Sequence, residues 1–244
     1  MTDQAAYELA RNVWRIPAGP ADFVNIFALV DDDGRVTLVD TGLKNGPQKA
    51  AAGLAVFGKS PQDVARIVLT HAHSDHAGGA AALAEQSGAG VAIHETDAQW
   101  ARDGKAPPRD RATFGGRFLN RIEGKRHSFP PVVVSEQFAD GDVLPVAGGL
   151  RVVHTPGHTM GHVSLLHEPT GVLITGDAIW NVRKMRWCVR AFCTDIRMTE
   201  QTADVLGELD YEVAAFTHGK HIKDQARERV RGFLRDAERF GAKG

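Results

Sequence analysis

Residues 67–79 read Ile67-Val68-Leu69-Thr70-His71-Ala72-His73-Ser74-Asp75-His76-Ala77-Gly78-Gly79. An apolar triplet with the character of a buried strand runs directly into four ligand-type side chains and closes on two glycines. Along extended backbone, side chains two residues apart share a face, so His71 and His73 present two imidazoles to one point. Asp75 and His76 fall where the chain turns toward the next helix and face a different point. Gly78 and Gly79 let backbone pass close by without a Cβ clash. The bland alternative is a solvated polar loop, which would leave the rest of the chain without matching features.

Matching features exist. Of eleven histidines, His158 stands in Thr155-Pro156-Gly157-His158-Thr159 after the expected strand Leu150–His154, and His218 stands in Thr217-His218-Gly219 after Val213–Phe216. Asp177 stands in Thr175-Gly176-Asp177 after Val172–Thr175. Each lies at the carboxyl end of an expected strand beside a glycine, so all three can converge on the edge that holds the His71 cluster. Five histidines and two carboxylates suit a pair of borderline ions such as zinc, which accept both imidazole nitrogen and carboxylate oxygen.

Outward from this nucleus, Val24–Val30 and Val36–Val39 read as two strands joined across Asp31-Asp32-Asp33-Gly34, with Asp40-Thr41-Gly42 ending the second. Gln48–Phe57 is alanine-rich and predicts a helix stopped near Gly58. Ser60 followed by Pro61 predicts another helix start. Ala80–Gln86 predicts a helix and Val91–Ile93 a short strand. The second half repeats the scheme loosely, with strands at Val132–Val134, Val143–Val146 and Leu150–His154. A hairpin follows, formed by Val163–His167 and Val172–Thr175 across Pro169-Thr170-Gly171. The strand Val213–Phe216 lies between helices at Thr199–Leu209 and Lys223–Phe240. Strands in groups, with helices at the ends of each group, predict packed sheets covered by helices.

A chain of 244 residues, 43% hydrophobic and 24% charged, has the make-up of a globular protein. We expect a single domain over 1–244, with an insertion at 97–130 as a candidate lid and a C-terminal helix at 223–240. The net charge of -1 offers no global attraction to nucleic acid or to an anionic membrane, so the expected partner is a small molecule. Met1–Arg15 lacks the basic start and apolar run of a secretory signal, and no run of ~18 apolar residues occurs; a cytoplasmic location is expected, with a homodimer as the candidate assembly. The two cysteines, Cys188 and Cys193, exclude a disulfide framework. Their spacing matches no common zinc motif, so they are expected to be ordinary reduced thiols.

The string His71-x-His73-x-Asp75-His76, preceded by Asp40-Thr41-Gly42 and followed by His158, Asp177 and His218, strongly resembles the metallo-β-lactamase superfamily. The likeness spans roughly Phe23 to His221. It implies an α/β fold, the αβ/βα four-layer sandwich, in which two β-sheets pack face to face with helices outside and the site lies along one edge. It also implies that His71, His73 and His158 hold a first zinc ion and that Asp75, His76 and His218 hold a second. Asp177 would bridge the two and Asp40 would support the ligands; manganese and iron are the alternative metals. In such a dinuclear-zinc hydrolase, bound water has its pKa lowered from ~15.7 to about 7, and the bridging hydroxide attacks an ester-type carbonyl. Asp75 would orient that hydroxide and pass a proton to the leaving group, which makes it the expected catalytic residue.

Several branches of the superfamily compete for the substrate. Thr155-Pro156-Gly157-His158-Thr159-Met160-Gly161-His162 resembles the central motif of glyoxalase-II-like thioesterases, although the C-terminal helical region is short here. His73-Ser74-Asp75-His76-Ala77-Gly78-Gly79 and the chain length resemble lactonases, but those place a tyrosine three residues after the bridging aspartate, where this chain has Trp180. Active zinc β-lactamases generally use cysteine where this chain has Asp177, which disfavours β-lactams. A persulfide dioxygenase-like oxidoreductase with one iron is the alternative from another reaction class. Two segments are expected to flank the site. Trp100–His127 carries eight arginines and lysines interleaved with Phe114, Phe118 and Leu119, and Trp180–Phe192 carries Arg183, Lys184, Arg186, Trp187 and Arg190. They offer either a solvated surface or a basic, aromatic rim for an anionic or amphipathic substrate. His94 and His167 are expected to be structural, and His221 is the competitor of His218 for its ligand position.

Overall fold

The computed structural model describes residues 4–123 and 128–240. Its first half runs β1 (Tyr7–Ala10), β2 (Val13–Pro17), β3 (Asn25–Val30), β4 (Val36–Val39), α1 (Gly46–Val56), β5 (Val64–Leu69), α2 (Ser74–Ala77), α3 (Ala80–Ser87) and β6 (Gly90–His94). Next come α4 (Glu95–Asp103), α5 (Phe114–Glu123), β7 (Val134–Phe138), β8 (Val143–Leu144), β9 (Leu150–His154), β10 (Val163–His167) and β11 (Val172–Ile174). The chain ends with β12 (Ile179–Trp180), β13 (Arg186–Trp187), α6 (Ile196–Thr202), β14 (Val213–Ala215) and α7 (Ala226–Asp236).

A seven-stranded sheet takes the order β1 to β7, antiparallel up to β4 and parallel from β4 onward. A five-stranded sheet takes the order β14-β11-β10-β9-β8, and β12 pairs with β13 in a separate two-stranded sheet. Side-chain alternation explains how these sheets stack. On β3, Phe27 and Leu29 face one core with Val68 of β5, and that core also holds Val152, Leu165, Ile174 and Ala215 of the second sheet. The intervening residues Ile26, Ala28, Ile67 and Leu69 face the opposite way, onto Leu54 of α1, Leu83 of α3 and Ala101 of α4. The outer face of the second sheet, including Val153, Leu166, Leu173 and Ala214, packs on Ile196 of α6 and on Val230 and Leu234 of α7. Helix, sheet, sheet and helix therefore form four layers, as the sequence implied. Among the described residues, no helix is long and apolar enough to cross a membrane.

The differences from expectation have local causes. Strand β2 is not legible in the sequence because Arg15 interrupts the apolar pattern, and β1 is a four-residue strand, Tyr7-Glu8-Leu9-Ala10, with no apolar run. Arg15 is nevertheless buried, and its guanidinium meets Asn25 Oδ1 at 3.0 Å and Asp22 at 3.1 Å. The helix start at Ser60 is real, with Asp63 accepting from the Ser60 backbone at 2.8 Å, but only one 3₁₀ turn forms before β5 begins. Pro130 and Pro131 delay β7 to Val134, and Val133 stays exposed. The helix expected at Thr199–Leu209 starts earlier, at Ile196, because Asp195 caps the amides of Arg197 and Met198; it then tightens into a 3₁₀ turn at Ala203–Gly207. The C-terminal helix is shorter than the expected 223–240.

Candidate metal centre

Strand ends deliver every side chain singled out by the histidine pattern to one edge. The amide of Val163, at the start of β10, donates to Thr70 O at 3.0 Å, which stitches the end of β5 to the second sheet. The His71 loop and the His158 loop are held together by Asp97 of α4. That fully buried carboxylate accepts from Ala72 N at 3.0 Å, Thr159 Oγ1 at 2.7 Å and Gly161 N at 2.9 Å. Burial pushes its pKa up, against these three donors.

Two cages result. In the first, His73 Nδ1 lies 3.1 Å from His71 Nε2 and 2.9 Å from His158 Nε2. In the second, His218 Nε2 and His76 Nε2 lie 3.4 and 3.6 Å from Asp75 Oδ2. Asp177 stands between them, with Oδ2 at 3.3 Å from His158 Nε2 and 3.2 Å from His218 Nε2, and Oδ1 at 3.4 Å from His76 Nε2. Four zinc ligands at 2.0–2.1 Å in a tetrahedron stand about 3.3 Å apart, so both cages have the right dimensions for such an ion. Among the described residues, His76 Nε2 and His218 Nε2 are buried without a hydrogen-bond partner. Orphaned imidazole nitrogens at fully buried positions are costly unless something fills the space between them. A cation fits that requirement.

The outer nitrogens are held as ligating imidazoles usually are. Asp40 Oδ2 faces His76 Nδ1 at 2.8 Å, and Asp40 also accepts from Thr70 N at 2.8 Å; Thr70 Oγ1 in turn lies 3.0 Å from His71 Nδ1. His218 Nδ1 bonds the carbonyl of Phe23. His158 Nδ1 faces Cys193 Sγ at 3.6 Å.

The two cages differ in charge. Burial, reinforced by neighbouring imidazoles, holds His71 and His73 well below the ordinary histidine range and His158 down to about 3. His76 goes the other way, up to about 10: burial opposes its charge, but Asp177, Asp75 and Asp40 outweigh burial. His218 is raised despite burial by Asp177 and Asp75. Asp177 is pulled well below the carboxylate range because His218, His76 and His158 outweigh its burial.

All seven residues expected as ligands thus converge. His221 stays outside the cluster, its ring 6.3 Å from Tyr7. His167 bonds Thr170 Oγ1 and Ala147 O, and His94 stacks on His154 at 4.2 Å. Three contributors have no role in the expected site: Asp97, His162, and Cys193, which is expected with Cys188 to be an ordinary thiol. His162 Nε2 accepts from Asp177 N at 2.7 Å while its Nδ1–H faces Thr155 O, which locks the Asp177 loop. The position of His162, four residues after His158, was the signal available.

A groove of about 1390 Å³ begins at Phe23, Asn181 and Gly219, next to His218, and runs between the β12–β13 hairpin and α7. Trp187 and Phe233 give it apolar walls, and Arg183, Lys184, Arg186, Lys220 and Arg229 line it. Trp180 lies under its mouth, 4.3 Å from the His218 ring. The second of the two flanking segments therefore lines the groove. In the first, Phe114 and Phe118 point outward, 78% and 54% exposed, while Arg109 is buried and its charge bears on His73. Lys125, Arg126 and His127 of that segment lie outside the described residues.

Fold and site together define a member of the metallo-β-lactamase superfamily, whose family model matches residues 19–218; the chain belongs to that superfamily. It is 29% identical over 243 residues to the uncharacterized protein YobT of Bacillus subtilis, covering 94% of this chain and 97% of that one. It is also 29% identical over 188 residues to a hydroxyacylglutathione hydrolase of Cereibacter sphaeroides, covering 77% of this chain and 60% of that enzyme. Among solved structures, the metallo-beta-lactamase family protein TTHA1429 from Thermus thermophilus superposes with a TM-score of 0.71 at 29% identity, covering 93% of this chain and 80% of that one.

Proposed function

We propose that this chain is a dinuclear zinc hydrolase of ester-type carbonyl bonds (lactone, ester or thioester) acting on a small anionic or amphipathic substrate. One observation carries the reading: two adjacent cages of imidazole and carboxylate atoms share Asp177 and leave buried His76 Nε2 and His218 Nε2 without other partners. His71, His73 and His158 would hold one ion and Asp75, His76 and His218 the other. Two divalent cations supply an acidified water nucleophile at neutral pH and a Lewis acid for the carbonyl oxygen.

The chain's own residues supply the rest. Asp75 is 30% exposed, whereas the other six side chains are almost completely buried, so it alone faces incoming substrate. From there its carboxylate orients the nucleophile and carries a proton to the departing oxygen or sulfur. The groove beside His218 suits an amphipathic anion, with aromatic walls for an apolar part and five cationic side chains, which outnumber the lining acids Asp236 and Glu238, for a negative one. Among the described residues these five form no ion pair, and Arg183 sits at φ 65°, a strained setting that tight turns and ligand-binding loops retain. Likeness to a hydroxyacylglutathione hydrolase supports including thioesters in the class.

The test is a panel of lactones, thioesters, aryl esters and phosphotriesters offered to zinc-loaded enzyme, with metal content measured in parallel. Turnover of a carboxylic ester or thioester, abolished together with zinc binding in His73→Ala and Asp177→Ala, is the expected result. Full activity in either variant, or one iron per chain in place of two zinc ions, would overturn it.

A further inference from the structure

The two cysteines, five positions apart in the sequence, meet behind the first cage. The 3₁₀ turn Arg190–Phe192 curls the chain so that Cys188 Sγ and Cys193 Sγ lie 2.9 Å apart, both buried. Cys193 Sγ is also 3.6 Å from His158 Nδ1 and 3.5 Å from Val189 O. Its backbone is tied to the same loop: Thr194 N donates to His158 O at 2.9 Å and Asp195 N to Gly157 O at 2.8 Å. A second anchor comes from Asp110, whose amide donates to Cys193 O at 2.7 Å. With the backbone pinned on both sides, any change at the sulfur is felt at His158.

We propose that Cys188 and Cys193 are a redox-modifiable dithiol, oxidised by a hydroperoxide to a disulfide that withdraws the sulfur supporting His158. In the first step one sulfur attacks a peroxide oxygen and the O–O bond breaks. The leaving hydroxide takes the thiol proton as water, and a sulfenic acid remains. In the second step the other sulfur attacks the first, the S–O bond breaks, and a second water departs with the second thiol proton. Two thiols and one hydrogen peroxide give one disulfide and two waters, with two electrons passing from the sulfurs to the peroxide oxygens. Both thiols are buried, so only a small oxidant arriving during local opening reaches them. The hairpin that leads into Cys188 offers such an opening on its side, because among the described residues β12–β13 pairs with neither large sheet, while Cys193 stays anchored to the His158 loop.

The consequence at His158 rests on the metal reading proposed above, whereas formation of the disulfide does not. When His158 ligates through Nε2, Nδ1–H needs an acceptor, and Cys193 Sγ is the one at hand. Engaged with Cys188, that sulfur no longer fixes the ring. Loss of such a support weakens metal binding by about 10- to 100-fold.

The experiment treats the full-length zinc-loaded chain with hydrogen peroxide. Intact mass, a peptide map after alkylation, and zinc affinity by competition with a chromophoric chelator are then read, with and without dithiothreitol. The expected result is a loss of about 2 Da mapped to a Cys188–Cys193 crosslink, with one zinc site weakened about 10- to 100-fold and restored by dithiothreitol. Cys188→Ser, which leaves Cys193 against His158, should bind zinc normally and give no crosslink. Two thiols that remain separately alkylatable, or a disulfide formed with both zinc affinities unchanged, would overturn the proposal. So would a third zinc equivalent lost in Cys188→Ser, which would make the pair a cation site. A chain that binds no zinc yet forms the crosslink would instead sink the hydrolase reading and, with it, the link to His158.

Discussion

Asp40→Asn isolates one support of the second cage without changing its shape. Asp40 is fully buried at the end of β4, with φ 59°, a left-handed conformation that asparagine adopts at least as readily as aspartate. Its two oxygens face donors on both sides: Thr70 N at 2.8 Å on one, and His76 Nδ1 at 2.8 Å on the other. An asparagine has a single carbonyl oxygen to offer. If that oxygen turns to Thr70 N–H, the new NH₂ confronts His76 Nδ1–H; if it turns to His76, the NH₂ confronts Thr70 N–H. Either way a buried donor is orphaned, at about 1–3 kcal/mol. In the first arrangement His76 escapes by moving its proton to Nε2, the nitrogen aimed into the cage, and ligation is lost. Since about 1.4 kcal/mol is tenfold, the second zinc affinity should fall about 10- to 100-fold while the first stays within about twofold. Stepwise competition with a chromophoric chelator at pH 7 measures both constants. A folded Asp40→Asn protein with both affinities within twofold of the parent would refute the argument.

The charge difference between the cages gives a pH dependence with a definite sign. His71, His73 and His158 are neutral in the metal-free protein near neutrality, whereas His76, raised to about 10, carries a proton that must leave before it ligates. Zinc titrations between pH 6 and 9 should therefore show the second affinity rising with pH and the first nearly flat; parallel behaviour of the two sites would contradict the assignment. The same shift links to folding: His76's contribution to metal-free stability is fully present below its unfolded value of 6.5 and is lost as pH rises through about 10. Gly219→Ala should destabilise by about 2–4 kcal/mol and lower Tm by roughly 5–15 °C. Gly219 sits at φ 104°, and a Cβ there would overlap the Asn181 carbonyl, on the residue whose amide donates to His218 O at 2.8 Å. A Tm unchanged within 2 °C would show that this turn yields without strain.

Much of the fold was legible because its signals are local. Ile67–Leu69, Val172–Ile174 and Val213–Phe216 are short apolar runs bounded by glycine or polar residues, and a buried strand leaves just that trace. Arg15 hid β2 because a buried arginine looks like a surface one until its partners, Asn25 and Asp22, arrive from the next turn of chain. Asp97 was equally silent: in sequence it is one acid on an amphipathic helix, and its three donors come from loops up to 64 residues away.

From the order of residues alone came the superfamily, the four-layer scheme and the seven side chains of the two cages, because metal-ligating chemistry needs rare residue types at strand ends and those types show in one dimension. Tertiary structure decided which atoms face each other: that His73 turns Nδ1 inward, that Asp177 touches both cages, that Trp187 and Phe233 wall a groove opening beside His218, and that the two thiols meet behind His158. Those facts depend on rotamers and on contacts across the chain, and a side chain's direction is fixed only when everything packed around it is in place.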